Sequence, residues 1–247
     1  MKRPEFIQVY ADWQGLDGPH KMGTLQRQVT RGKEVLSFEY EKEWLRRGDS
    51  RLLDPQLQFV PGRQFTDNSG HFGLFTDSAP DRWGRLLIQR RANRQTSIAP
   101  LFATDFLLAV ADISRLGGLR FKAGDDSPFL AENTGMPVPP MHALRELEEA
   151  SRNFEDADPS DPHYNEWLQL LLAPGTSLGG ARPKATVMDP TGQLWVAKFP
   201  SRSDAFDVGA WESLVYSLAR EAGIQTVQAG AERFSKQGTT FLIKRFD

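Results

Sequence analysis

The chain has 247 residues, of which 39% are hydrophobic and 25% are charged, and its formal net charge is -2. This balance is typical of a soluble globular protein and argues against a dedicated nucleic-acid binder. The absence of cysteine excludes disulfides and thiolate metal sites, and the four histidines lack paired ligand spacing, so we expect no structural metal. Because no apolar run approaches about 18 residues and the first residues lack the core of a signal peptide, we expect a cytoplasmic protein without membrane contact.

The first predicted elements are strands, because residues 5–10 and 33–40 alternate or cluster apolar and β-branched residues over short spans. The pattern then becomes helical near residue 78. Ser78 is suited to cap a helix, Pro80 to its first turn, and Asp81 occupies the capping-box position. The amino-terminal region is therefore predicted to combine a small sheet with helices.

The helix predicted after Ser78 carries five arginines close together: Arg82, Arg85, Arg90, Arg91 and Arg94. They form either a solvated helix face or a contact for an acidic partner or a phosphate backbone. A DNA contact would weaken steeply with added salt. The near-neutral charge of the whole chain favours the solvated face.

A domain boundary is predicted near residue 135. A second helix through residues 105–110 and a turn that enters a strand at 115–121 precede it, and four prolines between residues 128 and 140 are typical of a linker. Residues 141–154 then form an amphipathic pattern, and a further helical segment at 167–172 ends at Pro174-Gly175. The predicted regions are an amino-terminal domain at 1–135, a linker with helices at 136–173, and a third region at 174–247.

The third region begins with a glycine-containing turn. Gly179 and Gly180 let backbone N–H groups approach phosphate oxygens, and Lys184 adds a nearby positive charge. A plain tight turn before a strand is the alternative interpretation. The Walker P-loop pattern is nearly met by Gly175 and Gly180 but fails, because Ala181 and Arg182 occupy its Lys and Ser/Thr positions.

The strand that follows, at residues 193–199, carries Lys198 in an otherwise apolar run. A partly buried ammonium group needs an anionic partner, although an edge-strand lysine that points to water is the alternative. Fourteen residues later, Glu212 lies on a predicted helix beside an apolar stripe. That stripe consists of Trp211, Leu214, Val215, Leu218, Ala219 and Ala222. The spacing predicts a Lys198–Glu212 ion pair, the pair that orients the α- and β-phosphates in kinases.

Two further strands, at residues 226–234 and 239–243, are predicted to form a hairpin that leads into Lys244-Arg245-Phe246-Asp247. In a kinase-like order of elements, Lys244 to Phe246 would be the hinge whose backbone hydrogen-bonds adenine. An ordinary strand end is the alternative.

Several segments together resemble the HipA family, the kinase toxins of type II toxin–antitoxin systems. Residues 177–184 resemble its S-[ILV]-x-G-[AV]-x-x-K loop, and residues 75–85 its F-x-x-S-L-P-D-x-W-G-R segment. Further similar segments lie at residues 117–121, 211–212, 218–224 and 244–247. The resemblance implies an α+β fold, in which a small amino-terminal sheet-and-helix domain is followed by a protein-kinase-like amino-terminal lobe.

The resemblance also implies a Ser/Thr protein kinase that uses ATP and Mg²⁺ and acts on a translation component such as an aminoacyl-tRNA synthetase. A helix-turn-helix antitoxin bound to operator DNA would neutralise it. By position, Ser177 would be the autophosphorylation site. The nucleotide-binding residues would be Ser177, Gly179, Gly180, Lys184, Lys198, Glu212, Lys244 and Phe246.

The chain departs from the family pattern at Trp211, where asparagine is usual, and at Lys244, where glutamate is usual. The family's catalytic and Mg²⁺-binding residues are expected beyond Asp247, so no residue of this chain is assigned to those roles. Two functions are therefore open: a HipA-type kinase seen without its catalytic lobe, and a non-catalytic binding module or split-kinase subunit that contacts an antitoxin or partner chain.

Overall fold

The computed structural model describes residues 3–48, 52–67, 70–94, 100–130, 138–175 and 180–247. Helices and antiparallel strands are mixed along these residues, which confirms the predicted α+β class. The strands are β1 (Phe6–Ala11), β2 (His20–Thr30), β3 (Lys33–Tyr40), β4 (Arg63–Phe65), β5 (Leu119–Lys122), β6 (Lys184–Met188), β7 (Leu194–Lys198), β8 (Ala229–Glu232) and β9 (Thr240–Lys244). The α-helices are α1 (Lys42–Arg46), α2 (Gly73–Asp77), α3 (Arg82–Arg94), α4 (Ala103–Leu108), α5 (Leu144–Glu155), α6 (Tyr164–Gly175) and α7 (Val208–Glu221). Short 3-10 turns lie at Asp112–Ser114 and Met141–Ala143.

Backbone contacts divide the chain into two compact units. The first comprises residues 1–80, 98–135 and 247, and the second comprises 81–97 and 136–246. The sequence indicated a boundary near residue 135, and the contacts assign α3 to the second unit. The reason is packing, because Trp83 and Leu87 of α3 belong to the same buried cluster as α5, α6 and the second sheet.

The first unit is built on a five-stranded antiparallel sheet with the strand order β4-β3-β2-β1-β5. Ile7 of β1 lies opposite Leu25 of β2, and Val9 lies opposite Phe121 of β5. These four side chains are fully buried and form a core with Phe38 of β3. The strands predicted at residues 5–10 and 33–40 are thereby confirmed, as is the turn that enters a strand at 115–121.

Strand β2 is long but was not predicted, because its sequence lacks a regular alternation of apolar and polar residues. Gly23, Leu25 and Arg27 follow one another on that face. A Cβ atom on Gly23 would lie 2.4 Å from the Phe38 ring, so only glycine fits there. Arg27 is buried and forms an ion pair of 2.6 Å with Glu34. Two positions on the buried face of β2 therefore hold a glycine and an ion-paired arginine, where a typical strand would have large apolar side chains.

Helix α3 begins later than the sequence predicted. Ser78 does not cap it, since this residue ends α2 and its hydroxyl donates to the Leu74 carbonyl at 3.3 Å. Pro80 and Asp81 precede α3, which starts at Arg82. The predicted capping is therefore wrong at Ser78 and Pro80, and the Asp81 carboxylate accepts a hydrogen bond from the distant Gly180 N–H.

The second unit contains a four-stranded antiparallel sheet with the order β6-β7-β9-β8. The predicted hairpin is confirmed by the pairing of β8 with β9. Side chains of α3, α5 and α6 pack on the sheet, and their core includes Phe154, Leu171, Val187 and Phe199, all fully buried. Within the residues described, no helix has both the length and the apolar character needed to cross a lipid bilayer.

Candidate functional site

Two lysines face each other across the strands β6 and β7. The antiparallel register places Lys184 directly opposite Lys198, so both side chains leave the same face of the sheet. Like charges opposite each other destabilise a strand pair. The arrangement therefore favours a nearby anion.

Helix α7 supplies one anion to this pair of lysines. The Lys198 Nζ atom donates to Glu212 Oε1 at 2.6 Å, and each side chain is about one third exposed. The ammonium also lies 5.7 Å from the centre of the Phe241 ring, which packs beside it on β9. The ion pair predicted from the sequence is confirmed, and the alternative of a lysine that points freely into water is wrong.

Lys184 is buried, with only 6% of its surface exposed. Within the described residues its ammonium group has no hydrogen-bond or ion-pair partner at contact distance. Burial, and then the neighbouring Lys198 ammonium, lower the pKa of Lys184, whereas the carboxylates of Asp81 and Glu212 act in the opposite direction. A buried cation of this kind gains free energy when an anion is placed beside it.

Gly180 brings the backbone close to the Lys184 ammonium. Its φ angle is +87°, a conformation that glycine adopts without strain. A Cβ atom at this position would lie 2.7 Å from Lys184 Nζ, so a larger residue would displace the ammonium. The predicted partners Ser177 and Gly179 lie outside the described residues.

The segment that leads into α3 holds this loop in place. The Trp83 backbone N–H donates to the Gly180 carbonyl at 3.2 Å, and its indole N–H donates to the Lys184 carbonyl, also at 3.2 Å. The carboxylate of Asp81 accepts the Gly180 N–H. Asp81 and Trp83 were not predicted as site residues, because about a hundred residues separate them from Gly180 and Lys184 along the chain.

Arg182 also lies near the lysines but is fully engaged. Its guanidinium forms two hydrogen bonds with the Asp204 carboxylate, of 2.8 and 2.6 Å, and a third of 3.2 Å with the Phe199 carbonyl. This bidentate pair fixes the loop after β7 against the start of β6. The other groups here that suit an anion are the Gly180 N–H, which is bonded to Asp81, and the two lysines. Lys198 is paired with Glu212, whereas the Lys184 ammonium has no such partner in the part of the chain that the structure describes.

The predicted hinge lies at the end of β9. The N–H of Lys244 donates to Gln228 at 2.8 Å, and that of Arg245 donates to Leu194 at 2.9 Å. Both amides are therefore used by the sheet and are not available to adenine. Phe246 is 90% exposed, and its N–H has no partner among the described residues. Of the three predicted hinge residues, Lys244 to Phe246, only Phe246 offers an amide without a partner among the described residues.

The arginines of α3 have a structural use. Arg90 donates to the Phe154 carbonyl at 2.9 Å and lies 4.7 Å from the centre of the Phe154 ring. Arg94 donates to the Pro159 carbonyl at 2.8 Å and packs on Tyr164. These contacts fix α3 to α5 and α6, which accounts for part of the arginine cluster without a nucleic acid.

A nucleotide and a metal ion fit this site differently. The Gly180 loop, the buried Lys184 and the Lys198–Glu212 pair suit the phosphate groups of a nucleotide. Over the described ranges, no group of three or more His, Asp or Glu side chains lies close enough to hold a metal ion. The chemistry of the described residues at this place is therefore that of an anion site.

Two protein-family models match separate parts of the chain. The model described as HipA-like C-terminal domain matches residues 176–247, and the model described as HipA N-terminal domain matches residues 16–121. Together they cover more than two thirds of the sequence. A search of curated proteins finds no match.

Proposed function

The chain belongs to the HipA family, and from this membership we propose that its second unit binds the phosphates of ATP as part of a Ser/Thr protein kinase toxin. HipA-family proteins are kinase-like and are associated with toxin–antitoxin systems. The proposed acceptor is a translation component such as an aminoacyl-tRNA synthetase. The proposed partner is a helix-turn-helix antitoxin, through which the chain would reach operator DNA.

The observation that carries this proposal is the Lys198–Glu212 ion pair beside the buried Lys184. Phosphoryl transfer depends chiefly on gripping the triphosphate and neutralising its charge. A strand lysine held by a helix carboxylate keeps its ammonium at a fixed point. Lys184 and the Gly180 N–H add a second cation and a backbone donor on the same side.

Bound ATP would supply the phosphoryl group, and the residues of this chain would position it. Lys198 would contact the phosphates, Glu212 would keep Lys198 extended towards them, and Lys184 would offset further negative charge. The exposed N–H of Phe246 is the remaining hinge donor for adenine. Ser177, outside the described residues, is the proposed phosphorylation site, and a phosphate there would compete with ATP for the same donors.

Calorimetric titration with ATP tests the proposal. Lys198→Ala should weaken ATP binding by at least about tenfold, because a direct charge contact with the phosphates is removed. Lys236→Ala is the matched control, since Lys236 lies exposed in the β8–β9 turn and should leave the affinity unchanged. Equal ATP affinity in wild type and Lys198→Ala would contradict the proposed site.

A second candidate function is a non-catalytic subunit that a partner chain completes. One observation favours it: α7 exposes a stripe of large apolar side chains, a kind of surface that is normally covered. The stripe consists of Trp211, Leu214, Val215 and Leu218. If the chain binds no ATP, yet forms a defined complex with a helix-turn-helix antitoxin that Leu214→Ser disrupts, this second function replaces the first.

A further inference from the structure

An acidic side chain already occupies the backbone N–H of Gly180. The Asp81 carboxylate accepts a hydrogen bond from the Gly180 N–H. The Gly180 carbonyl in turn accepts one from the backbone N–H of Trp83, which lies two residues after Asp81 in the chain. The two bonds form a reciprocal clamp between the start of α3 and the loop. The Gly180 N–H is one of the groups that the proposed function assigns to a phosphate.

The same carboxylate is one of two that oppose the charge of Lys184. The negative charges of Asp81 and Glu212 favour the charged form of Lys184 and so act to raise its pKa. Glu212 is committed to Lys198 at 2.6 Å. Asp81 therefore combines the two interactions that a phosphate oxygen would make here, a backbone N–H and the field of a buried lysine.

We propose that Asp81 is an internal competitor for the phosphate site, and that an entering polyphosphate must displace its carboxylate from the Gly180 N–H. This inference rests on the proposed function, because it concerns the same site. A carboxylate and a phosphate oxygen are both anionic acceptors, so one N–H cannot serve both at full strength, and their charges repel each other. Asp81 thereby lowers the affinity of the resting protein for nucleotides.

The opposite role would be that of a positioning residue, in which Asp81 holds the loop in the geometry that a phosphate needs. The two roles differ in sign. Removal of a competitor tightens polyphosphate binding, whereas removal of a positioning residue weakens it. Two features favour competition: Asp81 is negatively charged where the ligand is negatively charged, and Trp83 anchors the loop independently through two hydrogen bonds.

Inorganic tripolyphosphate, titrated calorimetrically in the absence of divalent metal, is the direct probe, because it has neither adenine nor Mg²⁺. Asp81→Asn keeps the size and the acceptor oxygen but removes the charge. It should bind tripolyphosphate about tenfold more tightly than wild type, the effect of one like charge removed at close range. Asp77→Asn is the control, since Asp77 is exposed at the end of α2 and its loss should leave the affinity unchanged.

Asp81→Ser guards against a folding defect in the asparagine variant, and circular dichroism establishes that each protein is folded. Equal or weaker binding by folded Asp81 variants overturns the inference. If wild-type binding is then still sensitive to Lys198→Ala, the proposed function survives without it. If neither the wild type nor any Asp81 variant binds tripolyphosphate or ATP, both the inference and the proposed function are overturned.

Discussion

Helices α5 and α7 have the same kind of amphipathic sequence, yet the structure buries the apolar side of α5 alone. In α5, Leu147 and Phe154 are 1% and 0% exposed. In α7, Trp211 and Val215 are 57% and 60% exposed. Both helices belong to the second unit, so the difference lies in how each helix is held and not in the pattern of its residues.

Polar contacts at defined points hold α7, whereas α5 combines polar contacts with a fully packed apolar side. The Asp207 carboxylate accepts the N–H of Ala210 and both the N–H and the hydroxyl of Thr239. Tyr216 donates its hydroxyl to the Val227 carbonyl at 2.9 Å, and Glu212 pairs with Lys198. Directional contacts fix the helix that carries a candidate functional residue and leave its apolar stripe uncovered.

The sharpest test of this contrast compares a truncation on each helix. Phe154→Ala should lower the free energy of unfolding by about 4 kcal/mol, because it opens a cavity among Trp83, Tyr164 and Arg90. Leu218→Ala on α7 should lower it by less than about 0.5 kcal/mol, since Leu218 is more than half exposed. Urea unfolding of the two variants measures both values. A loss of similar size in Leu218→Ala would mean that the stripe is covered in solution, and the comparison would fail.

The close approach of α7 to Thr239, the residue before β9, provides a second test. A Cβ atom on Gly209 would lie 1.8 Å from the Thr239 carbonyl oxygen, which belongs to the backbone and cannot rotate away. Gly209→Ala should therefore destabilise the protein by about 3 kcal/mol, despite the better helix propensity of alanine. Thermal unfolding measures the loss.

Gly230→Ala is the matched control for this substitution. A Cβ atom on Gly230 meets no other atom within 4 Å, so we expect a change within about 0.5 kcal/mol of zero. If both glycine variants unfold at the wild-type temperature, α7 does not approach Thr239 as closely as the structure has it.

The sequence predicted the elements whose signal is local. The alternation in β1 and β3, the hairpin of β8 and β9, and the spacing of Lys198 and Glu212 all report on neighbouring residues, and the structure confirms them. Period and spacing decide which side chains share a face. The period and the spacing of the residues were therefore sufficient to predict that Lys198 and Glu212 lie close together.

Features that depend on distant partners were missed. The amphipathic pattern of α7 predicts that one side of the helix is apolar. It does not predict whether another part of the protein covers that side. The contacts of Asp81 and Trp83 with the glycine loop join residues about a hundred positions apart. Asp81 has the local pattern of a capping residue, and the loop competes successfully for its carboxylate. Long-range hydrogen bonds of this kind leave no periodic signal.

The smallest predicted effect concerns the charge that anchors the start of α7. Burial by itself raises the pKa of Asp207, but the N–H groups of Thr239 and Ala210 outweigh it, so the pKa lies below the ordinary value. A carboxyl group whose pKa is lower in the folded state stabilises the fold above its unfolded pKa of about 3.9, and this contribution is lost as the pH falls through the folded pKa. Asp207→Asn should therefore cost about 1 kcal/mol at neutral pH.

The difference between wild type and Asp207→Asn should stay constant from about pH 7 to pH 5 and shrink below about pH 4, where the carboxyl becomes protonated in the unfolded state and, at still lower pH, in the folded state. Urea unfolding at a series of pH values measures it. Asp126→Asn, at an exposed carboxylate of the first unit, should leave stability unchanged throughout. A difference that persists unchanged at low pH would mean that the shape of Asp207 anchors α7 and its charge does not. Because Asp207 caps the start of the helix that carries Glu212, loss of this anchor should also weaken ATP binding through Lys198, whereas Leu218→Ala should leave ATP binding unchanged.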